Sequence, residues 1–228
     1  QYNNMVTALS TSGMQDSTIL IAPVFPWQDN IGENNLGEDV LFWSDSEWSS
    51  GDLSRNTQSN PRPFRISSYS TIDTIYHRLV ENNANLKRIV LTGHSSGSQM
   101  VVRYAAGGRA PESLSETGID FIYVPMNTSS FLYYNENRVL NEDAEVFEFG
   151  PSLCGSANQY RYGMDNLNQY MENTGEETII NNFQHANLTY LIAQYDFGGQ
   201  TSTCARMTQG YSRLARTHIY FSYLNFLI

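Results

Sequence analysis

Residues 91–100 read LTGHSSGSQM and carry a G-x-S-x-G pattern at positions 93–97, with Ser95 at its centre. Arg88–Thr92, just before it, is nearly continuous in apolar character, as expected of a strand buried on both faces of a parallel sheet. Ser96–Ala106, just after it, places apolar residues on one helical face. The stretch therefore predicts a strand, a tight turn with Ser95 at its apex, and a helix.

Three further short apolar runs have the same character: Thr18–Ala22, Ile119–Val124 and Leu188–Ala193. A helix is predicted between the first two strands, starting at a capping box formed by Ser70 and Asp73. Strands that alternate with helices imply parallel pairing and right-handed crossovers. The predicted fold class is α/β, a mostly parallel sheet with flanking helices.

Composition excludes several classes of function. A chain of 228 residues fits a single domain, and its net charge of −10 argues against nucleic acid as a partner. No apolar run is long enough to span a membrane. No basic segment followed by an apolar one is present, so no signal peptide is expected in this chain. The sequence has no metal-binding, P-loop or dinucleotide motif, and we expect neither a metal nor a cofactor.

Two long segments depart from the strand–helix alternation. Residues 26–68 are loop-like and contain Trp27, Trp43 and Trp48. Residues 128–186 form an insertion with one predicted helix near 165–172. Both follow the carboxyl ends of predicted strands, where open α/β sheets bind ligands. Long loops in a compact domain are usually binding loops or lids, and we expect residues 128–186 to form a lid. For any one tryptophan, simple packing of the loop is the favoured interpretation.

The predicted strand–turn–helix context favours Ser95 as a nucleophile over one serine in a small-residue loop. Gly93 and Gly97 lack the Cβ atoms that would collide with the neighbouring backbone. Ser95 would occupy a strained conformation that directs its hydroxyl into the cleft. The Ser96 backbone N–H, at the helix N-terminus, would stabilise an oxyanion.

A serine nucleophile needs a histidine base, and that histidine needs a carboxylate. Asp196 follows the predicted strand Leu188–Ala193 and is the expected acid, although an aspartate before Gly-Gly is also common in ordinary turns. Asp120 would lie at the opposite edge of the sheet. His94 is adjacent to Ser95 and would point away from it. The isolated histidines His77 and His185 are expected to be structural.

Cys154 and Cys204 belong to no zinc motif, so they are either two buried thiols or one disulfide in an oxidising compartment. Sequons at Asn127 and Asn187 weakly favour secretion, although chance sequons are expected in an Asn-rich chain. A secreted or extracytoplasmic location is therefore the expectation.

Taken together, these segments resemble a family, the uncharacterised fungal and plant serine hydrolases of the α/β-hydrolase superfamily. The similar segments run along nearly the whole chain: LIAPVF, LFWSDSEWSSGDLS, ISSYSTIDTI, LKRIVLTGHSSGSQMVVRYA, FIYVPMNTSSFLY, YLIAQYD and CARMTQGYSRLART. The resemblance implies an α/β-hydrolase fold with Ser95 as nucleophile and Asp196 as acid. It also implies that Cys154 and Cys204 form a disulfide.

The resemblance covers the middle of the family's fold. Family members have strands and a Gly-rich oxyanion loop before the position of Gln1, and a strand and a catalytic histidine after Ile228. We therefore expect 1–228 to be a partial core domain with a truncated sheet, an open edge strand and exposed apolar surface. His218, the one histidine after Asp196, is expected to lie far from both Ser95 and Asp196.

The first functional hypothesis is hydrolysis of a small-molecule carboxylic ester, or another acyl bond, through an acyl-enzyme on Ser95. The alternative is a catalytically inactive hydrolase-like protein that binds a small ligand or a partner through its long loops. The sequence leaves the substrate and the oligomeric state open, since a fold does not select a chemistry.

Overall fold

A computed structural model describes residues 2–44, 46–143 and 145–227. Its strands are β1 (Arg88–His94), β2 (Asp120–Met126), β3 (Asn137–Val139), β4 (Phe149–Pro151) and β5 (Asn187–Leu188). The main sheet has three parallel strands in the order β1-β2-β5, and β3 and β4 form a small antiparallel pair. The fold is mixed α/β with a parallel sheet and helices around it, as the strand–helix alternation predicts.

Helices occupy much of the remaining chain. Their bounds are α1 (Tyr2–Thr11), α2 (Gln28–Glu33), α3 (Ser68–Asn82), α4 (Ser96–Gly107), α5 (Ala110–Ser113), α6 (Gln169–Thr174), α7 (Glu176–His185), α8 (Cys204–Met207) and α9 (Arg213–Leu227). The helix predicted after Ser95 is confirmed as α4, which packs against β1, β2 and α7. The aromatic run at the end of the sequence belongs to α9 rather than to a separate segment.

The strand predicted at Thr18–Ala22 is wrong: this described segment has no strand pairing, and Ile19 and Ile21 are exposed. β-branched residues favour a strand only where a neighbouring strand covers and pairs with them. β1 pairs with β2 along its whole length and has no strand on its other side within the described residues. Val90 on β1 is 50% exposed, so β1 is an open edge strand with exposed apolar surface.

The last predicted strand, Leu188–Ala193, is confirmed in part, because regular pairing covers only Asn187–Leu188. Pairing with β2 then continues as single contacts, in which Thr189 N donates to Tyr123 O at 2.9 Å and Leu191 N to Pro125 O at 2.9 Å. The strand therefore runs beside β2 as far as the carboxyl end of the sheet.

The N-terminus of α3 differs from the predicted capping box. Ser67, not Ser70, is the N-cap residue, and its hydroxyl accepts a hydrogen bond from the Tyr69 N–H at 3.1 Å. Asp73 instead accepts hydrogen bonds from the hydroxyls of Tyr104 and Tyr170, each at 2.7 Å. Because Asp73 is hydrogen-bonded to these two tyrosines, it does not cap the helix. The predicted helix is therefore confirmed, but the predicted capping box is wrong.

Residues 128–186 are built into the core along much of their length. Leu132, Tyr170, Met171 and Ile179 are buried in the same apolar cluster as α3 and α4. The helix predicted near 165–172 lies later, at Gln169–Thr174, because Asn168 caps it through the Met171 N–H. A lid role for this segment stays a proposal.

Aromatic residues dominate a second cluster, in which α9 packs on the segment that follows β2. Phe131 stacks on Tyr220 with ring centroids 4.2 Å apart, and Tyr133 lies against Tyr223 at 4.3 Å. All four are fully buried. Burial raises the pKa of the phenol in several tyrosines well above its usual value: Tyr69, Tyr76, Tyr104, Tyr134 and Tyr220.

Two of the three tryptophans pack the loop 26–68 down. Phe25 contacts the ring of Trp43 at 5.3 Å and stacks on Trp48 at 5.5 Å. These two tryptophans pack the loop as expected, whereas the side chain of Trp27 is 46% exposed.

Cys154 and Cys204 form a disulfide across 50 residues of chain. It connects the insertion to α8, and Ala157 and Ala205 are buried beside it. Among the described residues, no helix is both long enough and apolar enough to cross a membrane.

Candidate functional site

Ser95 occupies the sharp turn between β1 and α4 with φ 56° and ψ −112°. A positive φ is uncommon for a residue with a side chain and costs of order 1–3 kcal/mol. Two hydrogen bonds hold the turn: the Ser95 N–H donates to Met126 O at 3.0 Å, and the Ser98 hydroxyl donates to Ser95 O at 2.6 Å. The surrounding structure thus sustains a strained serine at the carboxyl end of a strand.

The two glycines of the motif have different roles. A Cβ on Gly93 would lie 2.4 Å from the carbonyl carbon and oxygen of Gly97, a distance that no real contact tolerates. A Cβ on Gly97 would meet nothing within 4 Å. The steric expectation therefore holds for Gly93 and is wrong for Gly97, because the side-chain position of Gly97 faces open space.

The Ser95 hydroxyl lies beside Ser129, which sequence reasoning did not single out. The two Oγ atoms are 3.3 Å apart, and either hydroxyl can donate. Ser129 belongs to the short segment that follows β2, and it is 9% exposed. The one signal in the sequence was the Asn-Thr-Ser-Ser-aromatic turn at the end of the predicted strand.

Ser96 begins α4, and its backbone N–H has no hydrogen-bond partner within the described residues. The first N–H groups of a helix carry a partial positive charge and lack intrahelical acceptors. The N–H of Ser96 can therefore bind an anionic oxygen beside Ser95.

Asp196 is buried and accepts hydrogen bonds from four donors. The Arg213 guanidinium donates Nε–H to Oδ2 and Nη2–H to Oδ1, both at 2.7 Å. Asn127 Nδ2 donates to Oδ2 at 2.7 Å, and the Gly198 N–H donates to Oδ1 at 3.3 Å. Hydrogen bonding from Arg213 is the main reason that the pKa of this carboxyl lies below its usual value. A carboxylate has about four acceptor positions, and all of them are used here.

The register of the sheet brings Ser95 and Asp196 to the same edge. His94, the last residue of β1, pairs with Met126 of β2, and Met126 bridges to Leu191 of the following segment. Asn127, next along the chain, then donates its side-chain N–H to Asp196. Asn127 belongs to one of the two sequons, and in this fold its side-chain amide is hydrogen-bonded to Asp196.

The four histidines of the chain all lie within the described residues. His218 is exposed on α9 and makes no hydrogen bond to Ser95 or Asp196, whose partners are other residues. His94 is exposed at the end of β1. The other two bind elsewhere, His77 to Ser113 and His185 to Asn181.

A cleft of about 360 Å³ lies at the opposite, amino-terminal edge of the sheet, where Asp120, His185 and Asn187 line it. Asp120 is the first residue of β2 and pairs with Arg88 at 3.2 Å, far along the strand from Ser95. We place the candidate site at Ser95 rather than in this cleft, because backbone strain and a buried carboxylate coincide there.

Comparison with known proteins finds one distant structural neighbour. No protein-family model matches the chain, and no curated protein matches it significantly. Among solved structures, the chain is similar to poly(aspartic acid) hydrolase-1 from Sphingomonas sp. KT-1, with 19% sequence identity and a TM-score of 0.48. The match covers 78% of this chain and 56% of that one, so the chain spans little more than half of its neighbour's length.

Proposed function

We propose that the protein is a serine hydrolase of the α/β-hydrolase type, acting on a carboxylic ester or a related acyl bond of a small molecule, with Ser95 as nucleophile. The observation that carries the proposal is the strained backbone of Ser95 between a parallel strand and a helix. Strain of this kind persists where the surrounding structure enforces it, and it concentrates at functional sites. The free N–H of Ser96 supplies the matching oxyanion donor.

In the proposed reaction, Ser95 Oγ forms a bond to the acyl carbon, and the carbonyl π pair moves onto the oxygen. A base takes the proton of Ser95 during this attack. When the intermediate collapses, the bond to the alcohol breaks and the base gives the proton to the departing alcohol. Water then repeats the attack on the acyl-enzyme and releases the carboxylic acid. Asp196 is the proposed acid that would orient an imidazole base.

The described geometry limits the rate of this chemistry. Within the described residues, no histidine side chain makes a hydrogen bond to Ser95 or Asp196, and the Asp196 carboxylate accepts hydrogen bonds from four donors. Oxyanion stabilisation and binding alone still accelerate acyl transfer by about 10³–10⁴-fold over water when a triad is incomplete. We therefore expect selective but slow reaction at Ser95, and little ester turnover by this chain.

A fluorophosphonate probe tests the proposal, read by intact mass and by peptide mapping. We expect stoichiometric labelling at Ser95 in the folded protein, faster when free imidazole is added as a base. Ser95→Ala should remove the labelling and leave the fold unchanged by circular dichroism. Heat-unfolded wild-type protein serves as the control for unselective reaction. Labelling spread over several serines, or none with imidazole present, would contradict the nucleophile assignment.

A ligand-binding protein without catalysis is the second candidate. The specific observation in its favour is the set of four donors on Asp196, from Arg213, Asn127 and Gly198, since together they leave no acceptor position for a histidine. In that case small esters would raise the melting temperature of the wild-type and Ser95→Ala proteins equally, and neither protein would react with the probe.

Three broader expectations stay proposals alongside the activity. We place the chain among the fungal and plant secreted serine hydrolases that it resembles, as a partial core domain with residues 128–186 as its lid. The disulfide supports an extracytoplasmic location, because disulfides persist in oxidising compartments.

A further inference from the structure

The hydroxyl of Ser129 is a nearly buried donor with a single polar neighbour. Among the described residues its one contact is Ser95 Oγ, at 3.3 Å. Hydrogen bonds between hydroxyls are usually about 2.7–2.8 Å long, so this contact is loose. A buried hydroxyl with only a loose partner is available to a better acceptor at the same place.

Hydrogen bonds between buried side chains and the backbone fix the position of the Ser129 hydroxyl. The buried Gln209 side chain accepts from the Phe131 N–H at 2.8 Å and donates to Phe131 O at 2.9 Å. Arg216 Nη1 donates to Ser129 O at 2.8 Å. Gln209 and Arg216 therefore hold the backbone of residues 129–131 in place, and the Ser129 hydroxyl already lies beside Ser95.

The next residue is held through its side chain. Ser130 Oγ donates to Gln99 Oε1 at 2.6 Å and accepts from Arg103 Nη2 at 3.0 Å. Gln99 lies one helical turn after Ser95 on α4, and its N–H donates to Ser95 O at 3.3 Å. Ser129 and Ser95 thus share one rigid support, which is what preorganised catalytic groups require.

Charge around Ser129 favours a negative oxygen. Arg216 is fully buried, and its guanidinium donates only to backbone carbonyls, those of Ser129, Gly199, Gly210 and Tyr211. Burial lowers the pKa of Arg216 to about 10, which leaves it charged at neutral pH. Among the described residues Arg216 forms no ion pair, although the Glu142 carboxylate lies near enough to raise its pKa, so the charge of Arg216 favours a negative oxygen beside it.

We infer that Ser129 is a further catalytic residue, whose hydroxyl donates a hydrogen bond to the oxyanion formed when Ser95 attacks a carbonyl. This inference rests on the proposed function. The oxyanion and Ser95 Oγ are bonded to the same carbon, so a donor 3.3 Å from Oγ lies within reach of the oxyanion. An oxyanion donor should lie about 3 Å from that oxygen, and serine hydroxyls serve in this role. Together with the N–H of Ser96, Ser129 would complete a two-donor site.

A Ser95→Cys variant gives a test that needs no histidine, because a thiolate is intrinsically nucleophilic. Cys154 and Cys204 are joined in the disulfide, so the introduced thiol would be the one free thiol of the chain. Its acylation by p-nitrophenyl acetate passes through an oxyanion, whereas its alkylation by iodoacetamide does not. The ratio of the two rates therefore isolates oxyanion stabilisation from access and from thiol ionisation.

Adding Ser129→Ala to this variant should slow acylation on the order of 100-fold and leave alkylation unchanged. Ser129→Thr, which keeps the hydroxyl, should restore acylation. Ser68→Ala is the control: it removes a buried hydroxyl of α3 that donates to Trp48 O at 2.7 Å. Among the described residues this hydroxyl makes no hydrogen bond to the segments of Ser95 or Ser129, so its loss should lower the melting temperature without changing the ratio.

The outcomes separate the two proposals. An unchanged ratio in Ser129→Ala, with wild-type Ser95 labelled by fluorophosphonate, would overturn the role of Ser129 alone. If the introduced thiol acylates no faster than in the denatured protein and wild-type Ser95 is unlabelled, the proposed function fails and the inference fails with it. A general loss of both rates in Ser129→Ala, not restored by Ser129→Thr, would show a structural role and also overturn it.

Discussion

Gly93 and Gly97 flank Ser95 symmetrically in sequence but not in space. We expect Gly93→Ala to destabilise the protein by about 2 kcal/mol or more, because its Cβ would overlap the Gly97 carbonyl. Gly97→Ala places a methyl group in open space within the first turn of α4 and should stabilise by roughly 0.5–1 kcal/mol. Urea unfolding of both variants measures the opposite signs. Equal effects would show that the turn relaxes around Gly93.

The Asp196 carboxylate makes the free energy of unfolding depend on pH in the acidic range. Hydrogen bonds from Arg213 lower its pKa in the folded protein, whereas in the unfolded chain the carboxyl titrates near its ordinary value of about 3.9. The stabilisation is therefore complete above that value and disappears as the pH falls through the lower, folded-state pKa.

Asp196→Asn should cost roughly 1–3 kcal/mol at neutral pH, because Arg213, which is about a quarter exposed, loses its charged partner. The difference from wild type should shrink as the pH falls below 4. Chemical unfolding at neutral and at acid pH measures it. Asp120→Asn, which removes an exposed pair with Arg88, is the control and should change little. A pH-independent difference would mean that Asp196 acts through packing alone.

A motif only a few residues long predicted the turn at Ser95 and the close contact of Gly93, and the structure shows both, although the equally local expectation for Gly97 was wrong. The partners of Asp196 could not be predicted, because Asn127 lies 69 residues away in sequence and Arg213 lies 17 residues away. Nothing in a single sequence marks such pairs, and the contact of Ser129 with Ser95, 34 residues apart, is equally non-local.

The segment after β2 behaves as an element held by side chains rather than by sheet pairing. The Gln209 side chain hydrogen-bonds both the N–H and the C=O of Phe131, two groups that in a sheet would pair with a neighbouring strand. Gln209→Ala should lower the free energy of unfolding by about 3 kcal/mol, since it leaves two buried backbone groups unsatisfied. Urea unfolding tests this. Gln200→Ala, in an exposed loop, is the matched control and should be neutral.

Helices and strands, too, were predicted correctly where short-range patterns determine them and wrongly where distant contacts do. α4 and β1 were predicted because their periodicity and the glycine-containing turn agree at short range. Thr18–Ala22 has the composition of a strand, but pairing depends on a neighbour that the sequence does not specify. Ser67 and Ser70 are equally suitable as N-cap residues by type. Ser67 caps the helix, and Asp73, the expected partner of Ser70, is hydrogen-bonded to Tyr104 and Tyr170 instead.

At the scale of the molecule, one covalent bond connects the insertion to the helices at the end of the chain. In the chain-entropy model, a disulfide closing a loop of 50 residues stabilises by about 4 kcal/mol. We expect the double variant Cys154→Ser with Cys204→Ser to lose about that much in urea unfolding. Mass spectrometry of unreduced wild-type protein should show the bond. A wild-type protein whose stability is insensitive to reductant would contradict the structural role.

The buried tyrosines give the folded protein an optical property. Their phenols ionise less readily than in the unfolded chain, whose tyrosines titrate near pH 10. After a jump to strongly alkaline pH, their phenolate absorbance should therefore appear only as fast as the fold opens. Ultraviolet absorbance alone would then report the unfolding rate of the aromatic cluster, without any added dye or label.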